Sequence, residues 1–364
     1  MATPLFDLTL TEEQRITRES MQRLVRESLG PQAREADEAG KPVRELLDAI
    51  SGFGLSLMPM PEALGGVGMP RSPLSNALAA EDLGQGDMSH ALAALQSVGA
   101  VNALMDFGNA DQQERWLPEL ASETCCPAAI ALAEPGATFE PARPACEAER
   151  EGSDYRLTGR KALVPMGAEC AWFVVVARCD GEIGAFVVPR DAGGLSVTAE
   201  SYMGLRAAGM TTLSLEAVRV PASDRLTHFD LDRLVDLSRI GLCALAVGCC
   251  QAVLDYAIPY VNERKAFGEP IARRQSVAFM VADMAIEIEG MRLMMLRAAS
   301  RAEQGLPFHR EAYLAHLQCM EKAMEIGTNG IQLFGGAGFV RDYPLEMWYR
   351  NLRSLAALHG SLMV

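Results

Sequence analysis

The chain has 364 residues, enough for two or three domains, and its 49% hydrophobic and 22% charged content is that of an ordinary globular protein. A formal net charge of −14 argues against a polyanionic partner such as nucleic acid, although a local basic patch could still hold an anionic small molecule. No uninterrupted apolar run reaches the length of a membrane span, so no membrane association is expected.

Residues 1–10 lack the basic start and apolar core of a secretory signal. Nine cysteines make an odd number, and Cys125-Cys126 and Cys249-Cys250 are adjacent pairs, a poor geometry for ordinary bridges. None forms a CxxC metal pair, so buried reduced thiols in a cytoplasmic protein are expected, with no metal site.

In chain order, residues 1–122 read as helices with short breaks. Thr11-Glu12-Glu13-Gln14 predicts a capped helix start with Thr11 as N-cap, and Pro42 to Phe53 predicts a further amphipathic helix. Pro61 to Gly68 is a glycine-rich turn, and no Lys-Ser/Thr pair follows to make it a phosphate loop.

From about 126 to 222 the period changes. Trp172 to Ala177, Ile183 to Val188 and Leu213 to Val220 predict strands, separated by turns such as Gly193-Gly194. Asp154 to Gly159 fits a strand ending in a turn, and Pro135 to Pro144 an irregular loop. From Leu231 onward the pattern is helical: Leu231–Val261, Val277–Gln304, His309–Leu333, then a break at Gly335-Gly336-Ala337-Gly338 and a last helix from about Pro344 to Leu358. The fold class is therefore α+β, mainly α, with an N-terminal helical domain (1–125), a small barrel- or sandwich-like β-domain (126–225) and a C-terminal four-helix bundle (226–364).

The most informative stretch lies between the first two bundle helices: Glu263-Arg264-Lys265-Ala266-Phe267-Gly268-Glu269-Pro270-Ile271-Ala272, with Gln275 just beyond. Gly268 and Pro270 separate two helices, which makes a hairpin with Arg264 and a bare Phe267 at its tip and Gln275 one turn into the next helix. A guanidinium can pair with phosphate and an amide can read a base or ribose edge. On these residues alone, an ordinary hairpin with a wet polar tip competes with a ligand site. The following helix carries Met280, Met284, Ile288, Met291 and Met295 at helical spacing, which reads as core packing.

This stretch, "ERKAFGEPIARRQSVAFMVADMA", resembles the signature of the acyl-CoA dehydrogenase flavoprotein family, and the resemblance runs nearly the whole chain. Pro61 to Gly68 matches the family's "PEEYGG.G" connector, Glu81-Asp82-Leu83-Gly84 its Glu-x-x-Gly helix, and Asp111 to Thr124 its last helix before the sheet domain. The resemblance implies FAD as cofactor and an acyl-CoA thioester as substrate. A carboxylate removes the α-proton, the flavin accepts the β-hydride, and an electron-transfer flavoprotein accepts the electrons. It also implies that Arg264, Phe267 and Gln275 reach across a subunit interface to the diphosphate and adenine half of a neighbour's FAD. Gln332, Gly335 and Gly336 match the family's "Q.xGGxGY", whose bare backbone lies close to the diphosphate. A simple helix C-cap is the other reading of those glycines. Asp236 and Arg239 fall where family members contact CoA or line its cavity, or else form an exposed charged pair.

The other half of the family pattern departs. The "TEP.AGSD" loop reads Ala133-Glu134-Pro135-Gly136-Ala137-Thr138-Phe139-Glu140. In the "K.WITNG" strand, Lys161 is kept, the flavin-packing Trp aligns with Leu163, and the hydrogen-bonding Thr aligns with Pro165, which has no N–H to give. Aligning Arg350 with the Arg before the family's "YEG" segment puts His359-Gly360 in place of the catalytic Glu. The alternative Glu position, on the first bundle helix, is Ser238. Many members also carry a tail beyond the equivalent of Val364 that touches FAD.

Kept contacts to a neighbour's nucleotide and lost contacts to the chain's own flavin ring together suggest the non-base-carrying subunit of a hetero-oligomer, such as the family's two-gene heterotetramers. A self-sufficient homo-dimer or tetramer with His359 as base, on an acyl-CoA or carrier-protein thioester, is the alternative; imidazole titrates near neutral pH. A lone His near this end could equally be solvated surface. A non-catalytic scaffold of the same fold is a third possibility, and no residue favours a flavin monooxygenase. The acyl group is not legible.

Overall fold

Thr11 caps the first helix in both directions: its hydroxyl accepts from Gln14 N–H at 3.2 Å, and its own N–H donates to the Gln14 amide oxygen at 3.0 Å. In the computed structural model, which describes residues 9–122, 124–136 and 138–364, ten α-helices surround one central sheet.

The N-terminal helices are α1 (Glu12–Leu24), α2 (Gly30–Ala39), α3 (Arg44–Ser51), α4 (Pro73–Gly86), α5 (Met88–Phe107) and α6 (Ala110–Trp116). A single π-turn, Val25–Leu29, joins α1 to α2. The helix expected over 111–124 is shorter. It ends at Trp116 and passes into a 3₁₀ turn at Pro118–Leu120, because a proline in the helix interior would leave a carbonyl without its donor. Glu123 and Ala137 lie outside the described residues.

The middle of the chain folds as β1 (Ala129–Ala131), β2 (Glu147–Glu151), β3 (Asp154–Val164), β4 (Trp172–Cys179), β5 (Glu182–Pro189), β6 (Leu195–Ala199) and β7 (Thr211–Pro221). They form one seven-stranded sheet in the order β1-β4-β2-β3-β7-β6, with β5 also paired to β4. β4 is apolar from Trp172 to Ala177 because both its faces are buried there: Phe173, Val175 and Ala177 enter a core internal to the sheet, while Trp172, Val174 and Val176 meet the helices. β3 is longer than expected. It continues through Gly159, where a side chain would collide with Cys146, and its register with β7 shifts twice before Val164.

The C-terminal part holds α7 (Leu231–Glu263), α8 (Gln275–Glu303), α9 (His309–Phe334) and α10 (Leu345–Ser354). Three of the four expected bundle helices are long; the fourth spans ten residues and ends in a 3₁₀ turn at Leu355–Ala357. By length and composition α7 could cross a membrane, contrary to the reading of the sequence, yet 89% of its apolar window is buried inside the fold, as for a central core helix. Between α7 and α8 the expected loop is a two-by-two ribbon, β8 (Lys265–Ala266) and β9 (Glu269–Pro270).

Two glycines let α4 and α7 touch backbone to backbone. A Cβ on Gly84 would lie 2.6 Å from Leu245 O, and one on Gly248 would lie 2.0 Å from Glu81 O. Beside this crossing Arg292 of α8 donates to Glu81 at 2.7 Å and to Gln251 at 2.9 Å, so three helices from two regions are tied at one point. Gly248→Ala therefore forces the two helices apart. Its expected cost is about 2–3 kcal/mol, in the upper range for overpacked cores, read as a lowered urea midpoint. An unchanged midpoint would mean the crossing has slack.

Candidate functional site

The tip between α7 and α8 is built to stand out. α7 runs past an internal Pro259 to Glu263, and Arg264 caps it, its N–H donating to Tyr260 O at 2.8 Å. Phe267 is held at φ 56°, a left-handed conformation unusual for a bulky residue, and is 94% exposed. The Arg274 guanidinium lies over its ring, 5.1 Å from the centroid. Gln275 is the first residue of α8 rather than one turn inside it, and is exposed, as is Arg264.

The end of α9 comes back to the same end of the bundle, where the rings of Tyr260 and Phe334 stack with centroids 3.7 Å apart. Gln332, Gly335 and Gly336 are exposed there, and a Cβ on either glycine would meet nothing within 4 Å. Phe339, just beyond, is 84% exposed. The structure thus places all six expected nucleotide-end residues at one end of the helices and facing outward. Bare backbone, an amide, a guanidinium and apolar rings suit a dinucleotide, and among the described residues none covers them.

The expected flavin seat is different. Leu163 and Met166 both have positive φ, at 56° and 50°, flanking Pro165. A hollow of about 200 Å³ opens beside Leu163, lined mainly by apolar groups including Tyr202, Met203, Leu205 and Met210, with the Ser354 hydroxyl near. Thr211 donates its hydroxyl to Val164 O at 3.0 Å and is thereby spent on the strand itself. The space admits an aromatic ring, while residues 163–166 offer it no side-chain hydrogen bond of the kind the family motif supplies.

The Glu-Pro loop before it is structural. Lys161, with no exposed surface, donates to Glu134 Oε1 at 2.7 Å and to Leu132 O at 3.2 Å, and Glu134 also accepts from Ala145 and Cys146 N–H. This buried pair pins the loop to β3.

Asp236 and Arg239 do pair, at 2.8 Å, but not on an exposed turn: Asp236 is 3% exposed and also binds His309 Nδ1 at 2.8 Å. Burial pushes its carboxyl up, against the pull of His309 and Arg239. With both oxygens engaged, Asp236 positions Arg239 and is not free to bind substrate directly, whereas Arg239, over the Tyr313 ring at 5.2 Å, is partly open. His359 is half-buried, its ring 5.6 Å from Phe139, and burial and then Arg239 lower its pKa. It is not solvated surface.

His316 of α9 joins this cluster and was not singled out from the sequence. Burial, Arg239 and His359 lower it to about 4, and its Nδ1 has no hydrogen-bond partner. A histidine on the buried face of an amphipathic helix gives no signal until its neighbours are known. The fully buried His90 is by contrast satisfied: Nε2 accepts from Val43 N–H at 3.0 Å, so Nδ1 carries the proton to Asp87 at 2.5 Å. Ser238, the alternative base position, is buried, and its hydroxyl accepts from Leu362 N–H at 3.4 Å. Among the described residues no cluster suits a metal ion.

This architecture, helices around a sheet with an outward nucleotide grip, defines an acyl-CoA dehydrogenase-type protein. The models of the acyl-CoA dehydrogenase N-terminal, middle and C-terminal domains match residues 11–124, 129–218 and 231–364. The chain belongs to that family. It is 33% identical to the probable acyl-CoA dehydrogenase YngJ of Bacillus subtilis, over 97% of this chain and 95% of that one. Its fold matches butyryl-CoA dehydrogenase from Megasphaera elsdenii (TM-score 0.88, 28% identity, 97% and 95% of the two chains). It also matches a glutaryl-CoA dehydrogenase from Mycobacterium smegmatis in complex with FADH2 (TM-score 0.86, 25% identity, 95% and 90%).

Two outcomes follow. His316 stays neutral in the fold down to about 4 but protonates near 6.5 when unfolded. Between those values the unfolded chain binds the extra proton, so the fold loses stability as pH falls, by about 3 kcal/mol in all. His316→Leu should remove that part of the dependence, measured by urea unfolding at pH 6.5 and 4.5. Lys161→Met leaves Glu134 buried without its cation and should cost about 3 kcal/mol, seen as a lower melting temperature.

Proposed function

We propose that this chain is a subunit of a hetero-oligomeric, FAD-dependent acyl-CoA dehydrogenase, one that grips a neighbour's FAD and does not itself carry the catalytic carboxylate. The observation that carries this reading is the contrast between an exposed nucleotide grip at Arg264, Phe267, Gln275, Gln332, Gly335 and Gly336 and a ring seat at Leu163–Met166 stripped of hydrogen-bonding side chains. FAD, when bound, accepts the β-hydride from the acyl thioester. This chain's part would be to clamp the diphosphate with Arg264, pack Phe267 against the nucleotide and read its polar edge with Gln275 and Gln332.

An oligomer is also suggested by α8, which carries Phe279, Ile286 and Leu293 exposed at seven-residue intervals, with Leu314 and Leu317 exposed on α9. Such a face is what a partner chain of the same fold covers. Arg239, positioned by Asp236, would meet the anionic CoA at the rim. An electron-transfer flavoprotein is the acceptor we propose. All nine cysteines are free, which suits the cytoplasm.

A second reading has one observation in its favour. His359 is half-buried with a lowered pKa, hence neutral and able to accept a proton near pH 7. In a self-sufficient enzyme His359→Ala would abolish dehydrogenation with FAD still bound; unchanged turnover would exclude it.

Flavin absorbance per protein decides between the two. The chain purified alone should hold far less than one FAD per subunit and fill when co-expressed with a homologous partner. One FAD per chain in the isolated protein, bleached by an acyl-CoA, would refute the partnership. In the filled complex Arg264→Ala should weaken FAD by about 2 kcal/mol, roughly thirtyfold in Kd, without lowering the melting temperature of the FAD-free chain.

A further inference from the structure

Residues 358–364 do not lie on the surface. Leu358, Leu362, Met363 and Val364 are each no more than 1% exposed, and Gly360 turns the chain inward at φ 68°. From there an extended segment enters a groove between α5 and α7.

The groove is shaped to receive a backbone. A Cβ on Gly99 of α5 would lie 2.9 Å from Met363 N, and one on Gly241 of α7 would lie 2.7 Å from Leu362 O. Both helices are therefore smooth where the segment passes. The hydrogen bonds that hold it come from side chains, not from a strand partner: Asn102 Nδ2 donates to Met363 O at 2.9 Å, Ser238 Oγ accepts from Leu362 N at 3.4 Å, and Arg71 donates to Val364 O. Arg71 is itself fixed by Asp106 at 2.7 Å, which Arg233 also reaches at 2.9 Å.

Two details mark this as a guest position and not ordinary core. Asn102 Oδ1 and Arg71 Nε are buried with no partner, so the groove carries more polar capacity than the segment uses. A second space adjoins the far end of the groove through Arg71. Arg71 lines this cavity of about 260 Å³, whose other walls include Met21, Phe53, Leu55, Met58 and Leu78. The near end lies one residue along α7 from Arg239, the cation we place at the CoA rim. Five residues span at most about 16 Å when fully extended, and the turn at Gly360 shortens that reach towards the length of a medium-to-long alkyl chain.

We propose that residues 360–364 are an internal occupant of a channel between α5 and α7, and that this chain takes a long acyl thioester there only when the segment withdraws. The proposal rests on the acyl-CoA reading above but not on the partnership: a self-filled channel would hold a lone chain and a complexed one alike closed to long acyl groups.

The probe is S-hexadecyl-CoA, a thioether that cannot be dehydrogenated as a thioester, titrated calorimetrically into the intact chain and into a variant lacking residues 361–364. The variant should bind at least tenfold tighter. Equal affinities, or binding by neither, would overturn the proposal. Should the deletion fail to fold, the intact chain decides the matter: hydrogen exchange at the Leu362 and Met363 amides must rise when the probe binds, and unchanged or slower exchange with probe bound overturns it. Neither readout uses flavin content or turnover, so a failed partnership reading leaves this result standing, and the reverse.

Discussion

Where α4 crosses α7 the contact is between backbones, not side chains. Gly84 and Gly248 remove the two Cβ atoms that would hold α4 and α7 apart, and that crossing sets the frame on which α5 and the helix-end tip are placed. With α4 seated, α5 is laid beside α7, and the narrow groove between them takes its width from Gly99 and Gly241. With α7 seated, its last turns beyond Pro259 carry the β8–β9 ribbon out past the body of the protein. Arg292 guards the crossing by linking α4, α7 and α8, and its guanidinium, raised by Glu81 and Glu289, stays charged.

Two sets of residues in one family fold thus have different fates here. Those at the bundle end face outward and lie open, while those around β3 are closed upon themselves by Lys161–Glu134 and by Thr211 on Val164. The mouth of the site is more basic than its sequence suggests, because Asp236 is buried and occupied, leaving Arg239 to set the local potential. That field, together with burial, is what depresses both His316 and His359.

Periodicity made the larger elements legible. The methionine row of α8 and the two-sided apolar run of β4 each announce one conformation. Shorter strands did not: β2 is Glu147-Ala148-Glu149-Arg150-Glu151 and β6 is largely exposed, so neither has an apolar signature, and β1 is three residues long. Gly159 read as a stop but is a close approach within a continuing strand. At the site, Arg264, Phe267 and Gln275 were legible through a local motif, since their spacing along the chain is their spacing in space. His316, Arg71 and the path of residues 360–364 were not. Their meaning comes from partners 35 to 293 residues away in sequence, and no local pattern encodes that.

The cysteines leave one more consequence. Eight of the nine are buried, only Cys126 being partly open, and burial raises the thiols of Cys170, Cys243 and Cys250 well above their ordinary range. They are inert until the packing around them parts. Because buried cysteines lie in β4 (Cys179) and the turn before it (Cys170), in α7 (Cys243, Cys249, Cys250) and in α9 (Cys319), the order in which a thiol reagent modifies them records which layer breathes first, a clock wound into the core without any added label.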